Sequence, residues 1–531
     1  MIFDQAFVNG RIYTMDRAGT RAEAMLVHNG RILAVGSNEE ISACPVHRRT
    51  DLEGHTVIPG LIDTHCHVPE MVDDSRKVDL SGARSIRDVQ DLLRKGLETL
   101  KPGKWLLGRG LSSGLLREDR LPDRYELDQV STAVPIYVTT FDGHSSMGNS
   151  KLLKTAGIGK GYVPAEGEFL EFDGEGVPTG IFKEAAISNR ILRHCPPMYE
   201  GEAEAQEAIR EFLLSYGKLG YTTLHTILGL WPSDLSQTRL YQMMERKGTL
   251  PLRLNLCYCD CYENNMDILS GLGNERVRLS ACKFFADGAM SERTAYLSRE
   301  YADQPGWRGC MVLEEETFRQ RVERAYRLGN DVGIHIIGDA ALDVVLKLIE
   351  DIRDPASLAH FELIHCAVTR PDQLERMQKL PVVVHKQPIF IAAPTTLRGE
   401  EKLGELNRWY HGLKSFLDAG ICVTGGTDGP LSDMDPFTAM ECAVTRRSFD
   451  GKTVVNPEER ISVEEAVRMF TASAARAGHE EAYKGTLEAG KIADFILLDR
   501  DIFKVVPEEI HCVRAVRTYV GGEALNAQAR H

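Results

Sequence analysis

The sequence predicts an α/β fold in which a TIM-type (β/α)8 barrel carries a small β-sandwich formed by both termini. Eight strand-like segments in the central region alternate with helical patterns, which favours a closed parallel barrel. Short β segments occur near both ends of the chain, so the ends can meet in one small domain. An open, doubly wound sheet is the structural alternative.

The terminal segments carry turn signals. Residues 6–14 and 24–35 each place Asn-Gly between apolar stretches, a pattern typical of a two-residue hairpin turn. Two further strand candidates lie within residues 493–522. We therefore predict a composite β-sandwich domain that consists of residues 1–57 and 485–531.

The predicted barrel spans residues 58–484. Helical periodicity separates most of its strand candidates, as in residues 314–328, 341–352 and 370–379. The candidate barrel strands are 58–65, 221–226, 251–258, 280–286, 331–337, 361–366, 381–386 and 420–427.

Residues 80–220 are far longer than an ordinary connection between a strand and a helix. We predict a large insertion after the first barrel strand, with strands around Trp105 and Tyr137 and an amphipathic helix over residues 202–219. Its place in the chain puts it over the mouth of the barrel, where we predict that it acts as a lid or sets specificity.

Composition limits the possible functions. A chain of 531 residues suggests two or three domains, and 43% hydrophobic with 26% charged residues is typical of soluble globular proteins. The net charge of −14 and the lack of a basic run argue against nucleic acid. We expect no membrane partner, because no apolar stretch approaches the ~20 residues of a bilayer span. The start of the chain does not resemble a signal peptide, and the 12 cysteines fit reduced thiols, so we expect a cytoplasmic protein.

His65 and His67 follow an apolar run and form a His-x-His motif. Alternate residues of a strand share one face, so both imidazoles point the same way, with Cα atoms roughly 6–7 Å apart. Neutral imidazole is the commonest metal ligand. The alternative is a pair of ordinary polar residues at a strand end. A metal site therefore requires that the rest of the chain supply further ligands.

Four more candidates lie at or near the carboxyl ends of predicted strands. Lys283 is in the fourth strand, His335 and His365 end the fifth and sixth, and Asp428 follows the eighth. A lone histidine on an apolar strand is usually a core residue, and a lone lysine usually reaches solvent. Because active sites of such barrels lie at the carboxyl ends of the strands, the joint pattern favours a metal site.

In these motifs and their order the chain resembles the amidohydrolase superfamily. Within it, the chain is similar to the amidohydrolase-3, YtcJ-like branch that includes N-substituted formamide deformylase. Residues 142–150, 178–185, 443–446, 462–466 and 484–494 carry further motifs of the branch. The resemblance implies a distorted barrel with the β-sandwich described above, and a hydrolase acting on carbon–nitrogen bonds other than peptide bonds (EC 3.5).

The resemblance also implies ligand roles. Lys283 matches a lysine that bridges two metal ions when it is carbamylated. A plain ammonium cannot bind a cation, so Lys283 would act as a carbamate or a neutral amine; burial favours the uncharged, reactive amine from which the carbamate forms. The alternative is a salt-bridged lysine beside a single ion. The implied metal ligands are His65, His67, Lys283, His335, His365 and Asp428.

The implied cofactor is a divalent metal, one ion or two. Zinc is the default, although imidazole and carboxylate ligands also accept manganese, iron, cobalt or nickel. The metal lowers the pKa of bound water to about 7, and the resulting hydroxide attacks a carbonyl or imine carbon. Asp428 would take the water proton and deliver it to the leaving nitrogen. The catalytic candidates are therefore Asp428, His365 and His144.

Four residues are candidates for substrate binding. His144 would stabilise an oxyanion or hold the substrate, with a structural histidine as the alternative; His225 faces the same choice. His385 precedes Lys386, and this pair would bind an anionic group if it faces the pocket; otherwise it is a solvated strand end. Arg109, in the insertion, completes the set.

Three functions remain open. The first is hydrolysis of a carbon–nitrogen bond in an amide, formamide or cyclic amide; the second is hydrolysis of an ester, lactone or carbamate at the same site. The third is a non-catalytic, metal-binding regulatory role, which intact ligands on several strands disfavour. Gly338 stands where deaminases of the superfamily place a glutamate, which weakens a deaminase interpretation. The expected partner is a small-molecule substrate, and a homodimer is left open.

Overall fold

The computed structural model describes residues 2–525 except 75, 142, 144, 166–167, 184–189, 229–235, 260–267 and 431. The chain divides into two compact units. The first comprises Met1–Val68, Glu207–Leu228 and Tyr241–His531, and the second comprises Pro69–Gln206 and Gly229–Leu240. Within the described ranges, every helix is too short or too polar to cross a membrane.

Eight strands of the first unit form one parallel sheet in chain order, so each strand pairs with the next. The last strand returns beside the first, because the Asp428 amide donates to the His65 carbonyl at 2.7 Å and the Thr64 and Thr424 hydroxyls lie 2.8 Å apart. This closure excludes the open sheet and confirms the predicted barrel. Its strands are Leu61–Cys66 (β1), Tyr221–Leu228 (β2), Arg253–Cys259 (β3), Val277–Phe285 (β4), Asp331–Ile336 (β5), Phe361–His365 (β6), Val382–Lys386 (β7) and Cys422–Gly425 (β8).

Helices supply the apolar cover that parallel strands need on their outer face. Helix Asp339–Ile352 buries Leu342, Val345, Leu346 and Ile349, the i, i+3, i+4, i+7 stripe of an amphipathic helix. The α-helices are Asn38–Ser42, Val68–Asp74, Ile86–Glu98, Arg124–Asp128, Ser150–Thr155, Glu202–Gly217, Gln237–Arg246, Glu315–Arg327, Asp339–Ile352, Pro371–Met377, Pro394–Leu397, Gly399–Leu403, Lys414–Asp418, Pro436–Thr445, Val463–Met469 and Ala472–Ala477. Short 3-10 helices span Ser113–Leu115, Pro388–Ala392, Gly404–Trp409, Pro457–Glu459 and Pro507–Cys512.

Two smaller sheets of the first unit pack face to face. Phe7 of one sheet lies edge-on to Phe495 and Tyr519 of the other, with ring centroids 4.8 and 5.2 Å apart. Strands from both ends of the chain share the second sheet, whereas the predicted domain boundaries stay predictions. In order, the sheets are Arg31–Gly36, Ala24–His28, Phe3–Val8, Val46–Asp51 and Glu523–Ala524, Ala515–Val520, Phe495–Leu498, Thr56–Pro59, Arg11–Tyr13, Arg21–Ala22.

The two Asn-Gly pairs have different outcomes. Asn29 and Gly30 both have positive φ, 51° and 71°, and join antiparallel strands, as in a type I′ hairpin. The hairpin predicted at Asn9 is wrong, because the strands on either side of it belong to different sheets. The chain crosses between sheets there, and a Cβ on Gly10 would meet the Leu52 side chain at 2.7 Å.

The second unit contains a six-stranded sheet, and the strands predicted around Trp105 and Tyr137 are present. Its apolar face packs on helix Ile86–Glu98, which buries Val89 and Leu93. The limits of the insertion and its role as a lid stay predictions. In order, the strands are Phe169–Phe172, Pro178–Lys183, Ser145–Gly148, Ile136–Thr140, Leu106–Leu111 and Val78–Asp79.

Candidate metal centre

Three imidazoles and one carboxylate meet at the carboxyl ends of β1, β6 and β8. Asp428 Oδ1 lies 3.3 Å from His65 Nε2 and 3.0 Å from His67 Nε2. Ligand atoms of His65, His365 and Asp428 all lie within 4.8 Å of one another. Each of the four side chains is buried. The structure thus brings together four of the residues that the sequence predicts as metal ligands.

The two other predicted ligands lie next to this group. The His335 ring centroid is 4.6 Å from that of His365, and His335 Nε2 lies 3.1 Å from the Gly288 carbonyl oxygen. Lys283 lies on β4 beside Gly333 of β5 and is 1% exposed. Burial is the main reason why the pKa values of His65 and His365 are low, and the nearby Lys283 ammonium lowers both further.

Burial sets the protonation of the site. It lowers the pKa of His65 to about 3 and that of His365 well below the usual value, so both imidazoles are neutral at pH 7. Burial alone would raise the pKa of Asp428, but hydrogen bonds from His65 and His67 hold it well below the usual value. Burial also lowers the pKa of Lys283 to about 8.

This donor set fits a divalent cation. Neutral imidazoles and an ionised carboxylate are the protein ligands of zinc and similar metals. The Nδ1 of His67 is buried and has no hydrogen-bond partner in the described part of the chain. This nitrogen is therefore a further potential metal ligand within the group.

Gln387 and Asp63 form hydrogen bonds that hold the ligand residues in position. Gln387 Oε1 lies 2.6 Å from His365 Nδ1, so that nitrogen carries the hydrogen and Nε2 keeps its lone pair. The Asp63 carboxylate accepts hydrogen bonds from the Tyr216 and Thr427 hydroxyls, both at 2.6 Å. It also accepts one from the His65 amide at 3.1 Å, so it joins the ends of β1 and β8. Sequence reasoning missed both; a carboxylate two residues before the His-x-His motif was the available signal for Asp63.

The backbone is held in a left-handed conformation at the ligands. His365, Cys366 and Asp428 have φ values of +70°, +44° and +55°. For residues other than glycine this costs on the order of 1–3 kcal/mol each, and such residues cluster at active sites. The strain places His365 and Asp428 where the strands end, and no sequence signal predicts it.

His385 and Lys386 do not form an exposed pair. His385 is fully buried, and its Nε2 lies 3.7 Å from Glu362 Oε2. Lys386 donates to the Cys366 carbonyl at 2.8 Å and lies 4.0 Å from the Phe416 ring centroid. The alternative of a solvated strand end is therefore wrong, and a substrate role for His385 stays a prediction.

The remaining substrate-binding candidates are His225, Arg109 and His144. His225 is buried on β2, with Nε2 2.8 Å from the Asn255 amide nitrogen. Arg109 lies in the second unit, where it contacts Asp79 at 3.4 Å. His144 is outside the described residues. Their proposed contacts with substrate stay predictions.

Comparison with known proteins agrees with this geometry. The chain is 28% identical over 524 residues to protein YtcJ of Bacillus subtilis (strain 168), covering 97% of this chain and 98% of YtcJ. It is also 28% identical over 546 residues to N-substituted formamide deformylase of Arthrobacter pascens, covering 98% and 97%. An uncharacterized metal-dependent hydrolase of Pyrococcus horikoshii OT3 superposes with a TM-score of 0.76 at 27% identity, covering 95% and 99%. The pattern of the amidohydrolase family matches residues 49–525, and the chain therefore belongs to that family.

Proposed function

We propose that this protein is a metal-dependent hydrolase that cleaves a non-peptide carbon–nitrogen bond of a small molecule. One observation carries the proposal: His65, His67, His365 and Asp428 converge, buried, at the carboxyl ends of three barrel strands. Barrel enzymes place their chemistry at this end. The relative named N-substituted formamide deformylase supports an amide-type substrate over an ester.

One or two divalent ions, with zinc as the default, would be held by the ligand group. When bound, such an ion polarises the scissile carbonyl group and lowers the pKa of a water molecule to about 7. We expect His335 to join the ligands, because its ring lies beside that of His365. The full expected set is His65, His67, Lys283, His335, His365 and Asp428.

Asp428 is the proposed general base and acid. It is ionised because His65 and His67 hold its pKa well below the usual value. Since Oδ1 contacts both imidazoles, we assign the proton transfer to Oδ2. There the carboxylate takes one proton from water and returns it to the leaving nitrogen, so the products are an acid and an amine.

Lys283 is the proposed carbamate ligand. A free amine reacts with carbon dioxide to form a carbamate and release one proton. A pKa of about 8 leaves a fraction of Lys283 as the free amine at neutral pH. The carbamate would add an anionic oxygen pair to the ligand group, and such oxygens are the ligands that a second cation would use.

Metal content and hydrolysis of the His65→Ala variant test the proposal. The substrates are a panel of N-substituted formamides, other amides, lactones and esters. The variant should lose bound metal, and hydrolysis should fall by more than ~100-fold, beyond the loss typical of residues that only support a ligand. His28→Ala is the matched control, because His28 also contacts an aspartate, Asp4, at 3.0 Å but lies in the terminal sheets.

Two results would contradict the proposal. Wild-type hydrolysis by His65→Ala would mean that the ligand group is not the active site. Hydrolysis of lactones or esters with no turnover of amides would replace the carbon–nitrogen assignment with the ester alternative.

A further inference from the structure

A second group of metal-ligating side chains lies at the opposite end of the barrel. Asp331 is the first residue of β5, and His360 directly precedes β6. Parallel strands begin at the same edge, so both residues lie at the amino end. The candidate ligands His335 and His365 lie four or five residues further along the same strands, roughly 13–17 Å away.

His479 completes this group from a different part of the chain. Its Nε2 lies 3.2 Å from Asp331 Oδ1, and its ring centroid is 4.2 Å from that of His360. Ligand atoms of Asp331, His360 and His479 all lie within 4.8 Å of one another. Asp331 and His360 are buried, whereas the His479 side chain is 41% exposed, so an ion has a route in from solvent.

Unsatisfied polar atoms point to a missing partner. His360 Nε2 and Glu362 Oε1 are buried and lie 3.5 Å apart, in a geometry that forms no hydrogen bond. His360 is 8% exposed and Glu362 2%. Buried polar atoms are nearly always paired, so these two require an explanation that the hydrogen bonds of the described chain do not supply.

The charge of the group favours a cation. The carboxylates of Asp331, Glu362 and Glu481 all interact electrostatically with His360. In the described ranges, neither Asp331 nor Glu362 forms an ion pair with lysine or arginine; the ionisable side chains within 4.0 Å of their carboxylates are all histidines. Buried carboxylates without a fixed positive charge are costly, and a divalent ion would supply that charge.

The backbone at His479 is held in a conformation that presents this side chain. His479 has φ +53° and follows helix Ala472–Ala477. A left-handed residue other than glycine persists only where its surroundings fix it. The His479–Asp331 contact is one such restraint.

We propose that Asp331, His360 and His479 form a second metal site, for zinc or a similar divalent ion that prefers imidazole and carboxylate ligands. The ion fastens the segment that follows helix Ala472–Ala477 to the amino ends of β5 and β6. Two imidazoles and one carboxylate leave a position for water or for Glu362, which adds negative charge beside the ion. The inference does not depend on the proposed hydrolase activity.

Zinc stoichiometry of the full-length protein tests the site. Wild-type protein is stripped with a chelator, reloaded with zinc, desalted and measured by mass spectrometry. His479→Ala should bind one equivalent less than wild type, and so should Asp331→Asn, which keeps the shape of the side chain. His28→Ala, which removes another histidine that is paired with an aspartate and is partly exposed, should bind as much zinc as wild type. Equal zinc content in folded His479→Ala and wild type would overturn the proposal.

Chemical labelling reads the same site without a substitution. Diethyl pyrocarbonate modifies accessible imidazole nitrogens, and peptide mass spectrometry reports each histidine separately. Zinc should slow modification of His479 several-fold relative to chelator-treated protein and leave the rate at His28 unchanged. Equal rates at His479 with and without zinc would mean that the group is only a hydrogen-bonded network between histidines and carboxylates.

Discussion

Replacement of Gln387 by leucine tests whether the bond behind His365 prepares that ring to bind metal. Gln387 Oε1 lies 2.6 Å from His365 Nδ1, and the two side chains are 3% and 4% exposed. Water therefore cannot replace the lost acceptor. Leucine has a similar volume, so the change removes the hydrogen bond with little change in packing.

The expected loss follows from two separate arguments. A buried N–H group left without an acceptor costs about 1–3 kcal/mol. Loss of a residue that orients a metal-bound histidine typically weakens metal affinity by about 10–100-fold, or about 1.4–2.7 kcal/mol. The two ranges overlap, so Gln387→Leu should bind metal about 10–100-fold more weakly, measured by competition with a chromophoric chelator.

Two comparisons isolate the bond. Gln387→Glu keeps an oxygen acceptor and should bind metal with an affinity close to wild type. Gln90→Leu removes another buried glutamine, which donates to the Glu126 carbonyl at 2.8 Å in the second unit, and should leave metal affinity unchanged. Wild-type affinity in Gln387→Leu would mean that this bond does not orient His365.

Two further outcomes test the carbamate and the stability of the fold. Protein exchanged with 13C-bicarbonate should show a carbamate signal by NMR that grows from pH 7 to 9, because the Lys283 amine, with a pKa of about 8, loses its proton over this range. The Lys283→Ala variant should lack the signal, whereas Lys386→Ala, which removes another buried lysine, should keep it. Absence of the signal from wild-type protein would refute the carbamate. Arg253→Met should lower the free energy of unfolding by about 3–5 kcal/mol in urea at pH 7, because it leaves the buried Asp494, bonded at 2.6 and 3.0 Å, without its cation. Burial opposes ionisation of Asp494, but Arg253 holds its pKa below the ordinary value. The stabilisation of the fold by this ion pair is therefore complete above pH ~4 and is lost at lower pH. If the difference in the free energy of unfolding between wild type and Arg253→Met stays constant down to pH 2, the Arg253–Asp494 ion pair is not its cause.

The barrel could be predicted from the sequence because its strands are continuous apolar runs and its helices have a clear 3.6-residue period. All eight predicted strands are present within a few residues. Helix Pro371–Met377 is shorter than the predicted residues 370–379, since helix ends depend on local caps and not on periodicity. The hairpin at Asn9 was wrong for a different reason: a turn signal specifies a reversal, and tertiary contacts decide which sheet the next strand joins.

The metal ligands could be predicted because each is a polar residue at the end of an apolar strand. The residues that support them could not. Gln387 and Tyr216 reach the site from elements far away in sequence, and glutamine or tyrosine in a chain of this length carries no signal of its own. The second metal-ligating group could not be predicted either. Asp331 and His360 lie at the starts of strands, where polar residues are common, and His479 is more than a hundred residues further along the chain.

The polar interior of the barrel indicates where the fold gives up stability for its chemistry. His225, Glu362 and His385 are buried, and His385 has no hydrogen-bond partner for either ring nitrogen in the described part of the chain. A buried polar group without a hydrogen bond costs about 1–3 kcal/mol in proteins, so apolar residues here would give a more stable barrel. Glu362 lies on β6 between His360 and His365, and its Oε2 is 3.7 Å from Nε2 of His385 on β7. The His385 ring centroid is 6.5 Å from that of His225 on β2. Because Glu362 also lies 3.5 Å from His360, these contacts link the buried polar side chains to the second metal-ligating group, and we attribute their burial to that group and not to packing.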